Sequence, residues 1–325
     1  MKGEGNASED NSGKQQEILI NKIHRLKKRK NAIVLAHYYQ VPEIQEVADY
    51  VGDSLGLAQQ AAQTHADLIA FAGVHFMAET AKLLNPQKKV VLPDLQAGCS
   101  LADSLPPDQF EQFINQHPGH TIITYINCSA DIKAMSDIIC TSSNAEQIIR
   151  SIPANQPIIF APDINLGRYL IKKTGRHMQL WNGACVVHQS FAIEKLLALH
   201  RQHPDAKIIA HPEAEEHILK VAHYIGSTAG MIKYVSQDRS SKYIVATEAG
   251  ILHQMTKTVP DKILIPAPSH EDNTCACSEC GFMKMNTLEK LYLSMDTEGP
   301  EITLREETRT KALAPLLRML ELSKN

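Results

Sequence analysis

The stretch Thr121-Ile122-Ile123-Thr124-Tyr125-Ile126-Asn127 is a short apolar run, rich in β-branched residues, that ends in a tyrosine and an asparagine. Two other stretches read the same way. Ala32-Ile33-Val34-Leu35-Ala36 runs into His37-Tyr38-Tyr39, and Lys207-Ile208-Ile209-Ala210 runs into His211-Pro212-Glu213. Nearly continuous Ile/Val runs bounded by turn residues are what strands buried on both faces look like. Further runs of this kind lie at 68–72, 90–92, 157–160, 243–246 and 262–265, with helical stretches between them. Alternation of strand and helix predicts an α/β protein with parallel sheets.

Outward from these three strands the chain repeats itself, with a period of roughly 85–90 residues. After each polar strand end comes a group of small hydroxyl residues: Gly52-Asp53-Ser54, Thr141-Ser142-Ser143 and Gly226-Ser227-Thr228. A second strand end follows, at Gly73, Asp163 and Thr247-Glu248, and each copy then delivers a cysteine: Cys99, Cys185 and Cys280. The expected fold is three homologous parallel-sheet α/β units in a pseudo-threefold arrangement around a central cavity, because ligands of parallel sheets gather beyond the carboxyl ends of the strands. The units are expected at 18–105, 106–192 and 193–284. Residues 1–17 read as a disordered lead-in and 285–325 as a helical segment packing on the units.

Apolar residues make up 43% of the 325, and the net charge of -3 gives no sign of a nucleic-acid partner. The basic run Lys27-Lys28-Arg29-Lys30 reads as the last turn of a first helix, where cations suit the dipole. No apolar stretch approaches the ~20 residues that span a bilayer. The polar N-terminus lacks the apolar core of a signal peptide and the arginines of a transit peptide, so a cytoplasmic protein is expected.

Seven cysteines in a chain of this kind point to metal or redox chemistry rather than a disulfide scaffold. One thiol at the end of each repeat matches the three ligands of a 4Fe–4S cluster that leaves one iron open, the alternative being three buried structural thiols. An open iron acts as a Lewis acid. Cys128 and Cys140 have no counterpart in the other copies and read as structural. Cys275, Cys277 and Cys280 alone resemble half of a zinc site or a redox pair, but no second Cys-x-x-Cys completes a zinc site. Cys277 and Cys280 pairing under oxidation would compete with a cluster.

Ser54, Ser142, Ser227 and Thr228 precede helices, where each can cap the helix or help hold an anion. His37, Tyr39, Tyr125, Asn127, His211 and Glu213 supply hydrogen-bonding and proton-handling groups at equivalent strand ends; His211 and Glu213, two apart, point the same way. His188 and His253 have no repeat partner and read as structural or supporting, and Trp181 as a packing anchor. No dinucleotide fingerprint or Walker loop is present.

Ala36-His37-Tyr38-Tyr39-Gln40, Gly52-Asp53-Ser54-Leu55, Pro93-Asp94-Leu95-Gln96-Ala97-Gly98-Cys99, Trp181-Asn182-Gly183-Ala184-Cys185, His211-Pro212-Glu213, Gly226-Ser227-Thr228-Ala229-Gly230-Met231 and Met283-Lys284-Met285-Asn286 together resemble the quinolinate synthase family, in order over about residues 31–290. The resemblance implies condensation of iminoaspartate with dihydroxyacetone phosphate to quinolinate, with loss of phosphate and water, in NAD biosynthesis. It implies a 4Fe–4S cluster on Cys99, Cys185 and Cys280. It implies a substrate site of His37, Ser54, Tyr125, Asn127, Ser142, His211, Glu213, Ser227 and Thr228. Tyr39 and Glu213 then look like acid/base residues, with His37 and His211 beside them. An L-aspartate oxidase or dehydrogenase is the expected functional link. The rival readings are another cluster-dependent hydro-lyase and a non-catalytic iron–sulfur carrier.

Overall fold

Three four-stranded parallel sheets carry the three units. The computed structural model describes residues 5–270 and 278–324, with backbone alone for 5–12. The first sheet comprises β1 (Ala32–His37), β2 (Tyr50–Gly52), β3 (Leu68–Ala72) and β4 (Lys89–Val91). The second comprises β5 (Thr121–Tyr125), β6 (Ile138–Cys140), β7 (Ile158–Ala161) and β8 (Gln179–Leu180). The third comprises β9 (Lys207–Ala210), β10 (Tyr224–Ile225), β11 (Lys242–Ala246) and β12 (Ile263–Pro266). Their strand orders, β2-β1-β3-β4, β6-β5-β7-β8 and β10-β9-β11-β12, are one order written three times, consistent with three repeated units.

The register explains why the polar strand ends and the hydroxyl turns meet. His37 pairs with Gly52, immediately before Asp53 and Ser54, and Tyr125 pairs with Cys140, immediately before Thr141 and Ser142. In the third sheet Ala210 pairs with Ile225, which leads into Gly226, Ser227 and Thr228. All eight expected strands are present within a residue or two. The four further ones, β2, β6, β8 and β10, have two or three residues each, too few for a periodic pattern to show.

The first and second units share one hydrophobic core, which includes Leu35, Ile69, Phe71, Ile123, Ile139 and Phe160. The third has two clusters of its own, around Ile208 and Ile244 and around Ile209 and Tyr243. The C-terminal segment does more than cover one unit. Its helix Leu288–Thr297 joins the first helix over the first sheet through Leu288, Leu291 and Met295. Its helix Glu306–Leu322 inserts Ala312, Leu316 and Met319 into the core shared by the first two units.

The N-terminus differs from the expected disordered lead-in over 1–17: the first helix runs Gly5–Arg29. Ile23 and Leu26 anchor it, and extending a fixed helix upstream gains one hydrogen bond per residue ordered, so no new nucleus is needed. The basic run does close this helix, and Lys27, Arg29 and Lys30 pair with Asp49, Asp296 and Glu298 at 2.9–3.0 Å. No helix among the described residues is long and apolar enough to cross a membrane.

Gly183, two residues before Cys185, marks a close approach between the first two units. A Cβ there would stand 2.2 Å from Ser104 Oγ and 2.8 Å from the Pro162 carbonyl oxygen. Gly183→Ala should therefore lower stability by about 1–3 kcal/mol, as overpacking does. A wild-type denaturant midpoint in this variant would show that the contact relaxes freely.

Candidate active site

The carboxyl ends of all three sheets open onto one cavity of about 730 Å³, its mouth included. His37, Tyr39, Ser54 and Cys99 reach it from the first unit. Tyr125, Asn127, Ser142 and Cys185 reach it from the second, and His211, Glu213, Thr228 and Cys280 from the third. Of the residues expected from sequence, Ser227 alone is absent from the lining.

Capping accounts for that difference. Ser227 is the N-cap of helix Thr228–Gln237, its hydroxyl accepting from Gly230 N at 3.1 Å. Asp53 does the same for helix Ser54–Gln63, accepting from Gly56 N at 2.8 Å. With the caps supplied by the preceding residues, the hydroxyls of Ser54 and Thr228 are left to face the cavity beside first-turn amides. Ser143 Oγ donates to Asp53 Oδ2 at 2.5 Å, tying the hydroxyl turns of the first two units together.

The two strand-end histidines are built alike. Tyr39 N donates to His37 Nδ1 at 3.2 Å, and Glu213 N donates to His211 Nδ1 at 3.4 Å. A ring nitrogen that accepts carries no proton, so this network assigns the proton of each neutral ring to Nε2. His211 Nε2 meets Ser142 Oγ at 3.1 Å. Burial pushes both imidazoles down to about 3, so both are neutral hydrogen-bond donors at physiological pH.

Glu213 sits at the centre. Tyr125 donates its hydroxyl to Oε1 at 2.5 Å, and His188 Nδ1 lies 3.1 Å from Oε2. Burial favours the protonated carboxyl, but the imidazoles of His188 and His211 and donation from Tyr125 outweigh it and hold the group below the usual carboxylate range. His211 is itself neutral, so His188 and the Tyr125 hydroxyl are the partners that keep Glu213 ionised. Burial, followed by the charge of Glu213, holds the Tyr39 and Tyr125 hydroxyls well above their ordinary range, so both keep their protons.

A family model described as quinolinate synthetase A protein matches residues 21–321. A quinolinate synthase of Microcystis aeruginosa is 60% identical over 305 residues, 94% of this chain and 95% of the relative. That of Trichodesmium erythraeum is 59% identical over 305 residues, 94% of each chain. That of Nostoc punctiforme is 60% identical over 301 residues, 93% of this chain and 92% of the relative. The chain belongs to the quinolinate synthase family.

Membership of the quinolinate synthase family makes the chain an enzyme of NAD biosynthesis and sets aside the hydro-lyase and carrier readings. Quinolinate synthases use a 4Fe–4S cluster, and the cavity fits such a group. Cys99, Cys185 and Cys280 are free, half-buried thiols, one from each unit, on one cavity. They are close enough that Cys280 raises Cys99 and Cys99 raises Cys185, after burial, which lifts Cys99 to about 12. Clustered soft donors kept from water suit iron. Cys185, His188 and Glu213 also offer ligand atoms within 4.8 Å of one another. Cys128 and Cys140 are fully buried in the hydrophobic core, as structural thiols are. Cys275 and Cys277 lie outside the described residues.

The sequence reading missed several groups at the quinolinate synthase cavity. His188 is a direct neighbour of Glu213, and its position three residues after Cys185 was the available signal. Glu248 accepts from Cys280 N at 3.1 Å and from Gly250 N at 2.7 Å. Lys284 Nζ pairs with Glu248 at 3.0 Å and donates to the Tyr39 carbonyl at 2.8 Å, which fastens the third cysteine to the first unit. Glu248 stands two residues past the end of β11, at a strand end that the repeat had marked without giving it a role. Buried Lys133 donates to the carbonyls of Ile126 at 3.2 Å and Cys128, on either side of Asn127. His253 pairs with Glu46 at 2.7 Å away from the cavity. Trp181 packs edge-on against Phe110 and Phe113, as an anchor should.

The neutral histidines set a pH dependence. A group whose folded pKa is depressed leaves the unfolded chain binding more protons, so stability falls as pH drops from the ordinary 6.5 towards 3. In cluster-free protein, His37→Gln with His211→Gln should flatten the slope of unfolding free energy over that window. An unchanged slope would place the acid sensitivity elsewhere.

Proposed function

We propose that this cavity joins iminoaspartate to dihydroxyacetone phosphate, giving quinolinate with loss of phosphate and water, and that Cys99, Cys185 and Cys280 hold the 4Fe–4S cluster. The observation that carries the proposal is the meeting of one thiol from each unit with the buried carboxylate of Glu213 and the strand-end histidines His37 and His211 on one cavity. A cluster held by Cys99, Cys185 and Cys280 would supply Lewis acidity towards a substrate hydroxyl or carbonyl.

The rest falls to the chain's own groups. Both substrates are anionic. Ser54 and Thr228, at the first turns of their helices, with Ser142 and the Nε2–H of His37, offer neutral donors for carboxylate and phosphate oxygens. Ser227 serves indirectly, by capping the helix that presents Thr228. His211 and Asn127 complete the donor set. Glu213, held ionised, is ready to take a proton from carbon next to a carbonyl or imine, with Tyr39 as its acid/base partner. Tyr125 orients the Glu213 carboxylate. Iminoaspartate hydrolyses readily in water, so the walls of the cavity protect it, and closure between the units would complete that protection. The same lability argues for supply close by, from an L-aspartate oxidase or dehydrogenase in the cytoplasm.

Anaerobically prepared Cys185→Ala protein should lose its iron and its activity, while Cys128→Ala keeps both. Full iron content in Cys185→Ala would remove that thiol from the ligand set. Glu213→Gln should keep its iron and lose about 10²–10⁴ in kcat, the usual worth of a general base. Near-normal single-turnover rates per cluster would take Glu213 off the catalytic residues.

A further inference from the structure

A second cavity, of about 740 Å³ with its open side included, lies in the seam between the second and third units and shares no lining residue with the candidate active site. Arg168, Lys172 and Lys173, on one face of helix Ile164–Thr174, line it from the second unit, and Lys220 lines it from the third. One carboxylate, Glu216, stands against these four cations. Lys172 and Lys220 both end on the same oxygen of it, Oε1, at 2.6 and 2.9 Å. Lys173 pairs with Glu146 at 3.0 Å. Arg168 has no hydrogen bond or ion pair among the described residues. Lys172 and Lys173 lie in the last turn of their helix, where the dipole alone favours cations, but Arg168 lies mid-helix and has no such reason. Tyr169, Leu219 and Ile225 give the cavity an apolar patch between the charges. Both walls lead to Glu213. Buried Asn165, also in the lining, donates Nδ2–H to the Glu213 carbonyl at 3.2 Å, and Glu216 follows Glu213 by three residues.

We infer that this seam is a regulatory binding site for a phosphate monoester with an apolar body. Positive charge gathered in a concave site attracts a multiply charged anion. Glu216 does not repel it strongly, because two ammonium groups already neutralise that carboxylate. The unpaired guanidinium of Arg168 can take two phosphate oxygens at once, and Lys220 adds a point charge from the facing wall. The body of the ligand then covers Tyr169, Leu219 and Ile225. A dianion held by Arg168 and Lys220 ties the second unit to the third. It does so on either side of the Asn165–Glu213 hydrogen bond, so occupancy of the seam changes how the backbone carries Glu213.

Equilibrium dialysis of anaerobically prepared holoenzyme against 1-naphthyl phosphate tests the site. One molecule should bind per chain, more weakly as salt is raised, and saturating quinolinate should not displace it. Arg168 and Lys220 are both exposed, so their replacement leaves the fold intact. Arg168→Gln with Lys220→Gln should weaken binding about 10–100-fold, the order expected when charge-assisted contacts are lost. Iron per chain and kcat without the probe should stay at wild-type values. The probe should change kcat/KM of the wild type and not of the double variant. Absence of binding overturns the inference, as does displacement by quinolinate or wild-type affinity in the double variant. Inorganic phosphate or 1-naphthol binding as tightly as the ester overturns the ligand class. Binding that leaves wild-type kcat/KM unchanged overturns the regulatory role. That role rests on the reading of Glu213 as the base, whereas binding is measured without turnover. If Glu213→Gln turns over normally, that reading fails and the binding result stands.

Discussion

A carboxylate withdrawn from water must find donors or opposite charge, and Glu213, 3% exposed, finds them where the second and third units meet. Tyr125 reaches it from the end of β5, and His188 from the turn after Cys185. His211 lies against His188, with ring centroids 4.8 Å apart and planes tilted by 33°. No single unit supplies this shell. A buried ionised group left without partners would protonate or pull the site open. The assembly of the units and the charge state of the site are thus one problem with one solution.

The parallel sheets make that solution available. A strand buried on both faces keeps its sides for packing and releases polar chemistry only at its carboxyl end. Because the three sheets share one strand order, each sends the same kinds of group to the same place: a polar strand end, a hydroxyl turn beside a helix start, and a thiol. The copies have then diverged in use. His37 and His211 keep the same turn, with Nδ1 accepting from the amide two residues on, whereas the second copy has Tyr125 at that level. Asp53 and Ser227 cap helices so that their neighbours Ser54 and Thr228 need not.

Much of this was legible in the sequence, because it was written three times. The strand ends, the hydroxyl turns and the cysteines fall at a common period, and repetition separated them from ordinary capping and packing residues. Groups that occur once could not be found that way. His188 and Lys284 have no partners in the other copies, and their roles depend on which side chains the fold brings within 3 Å. Lys133 carries no pattern that distinguishes it in the sequence, and only the fold buries it against the carbonyls around Asn127. For Ser227 and Thr228 capping and anion binding both stood open, since sequence cannot tell which of two adjacent hydroxyls turns back to cap the helix; the structure gives the cap to Ser227. The short strands β2, β6, β8 and β10 exist through their pairing with longer neighbours rather than through a pattern of their own.

The central claim is that one thiol from each unit meets at a single iron–sulfur cluster beside Glu213. Anomalous diffraction at the iron edge from anaerobically grown crystals tests it directly. The account predicts one compact iron peak within bonding distance of the sulfurs of Cys99, Cys185 and Cys280, with one iron lacking any protein sulfur. Iron bound instead by Cys275 and Cys277, or a peak that engages fewer than all three units, would contradict it.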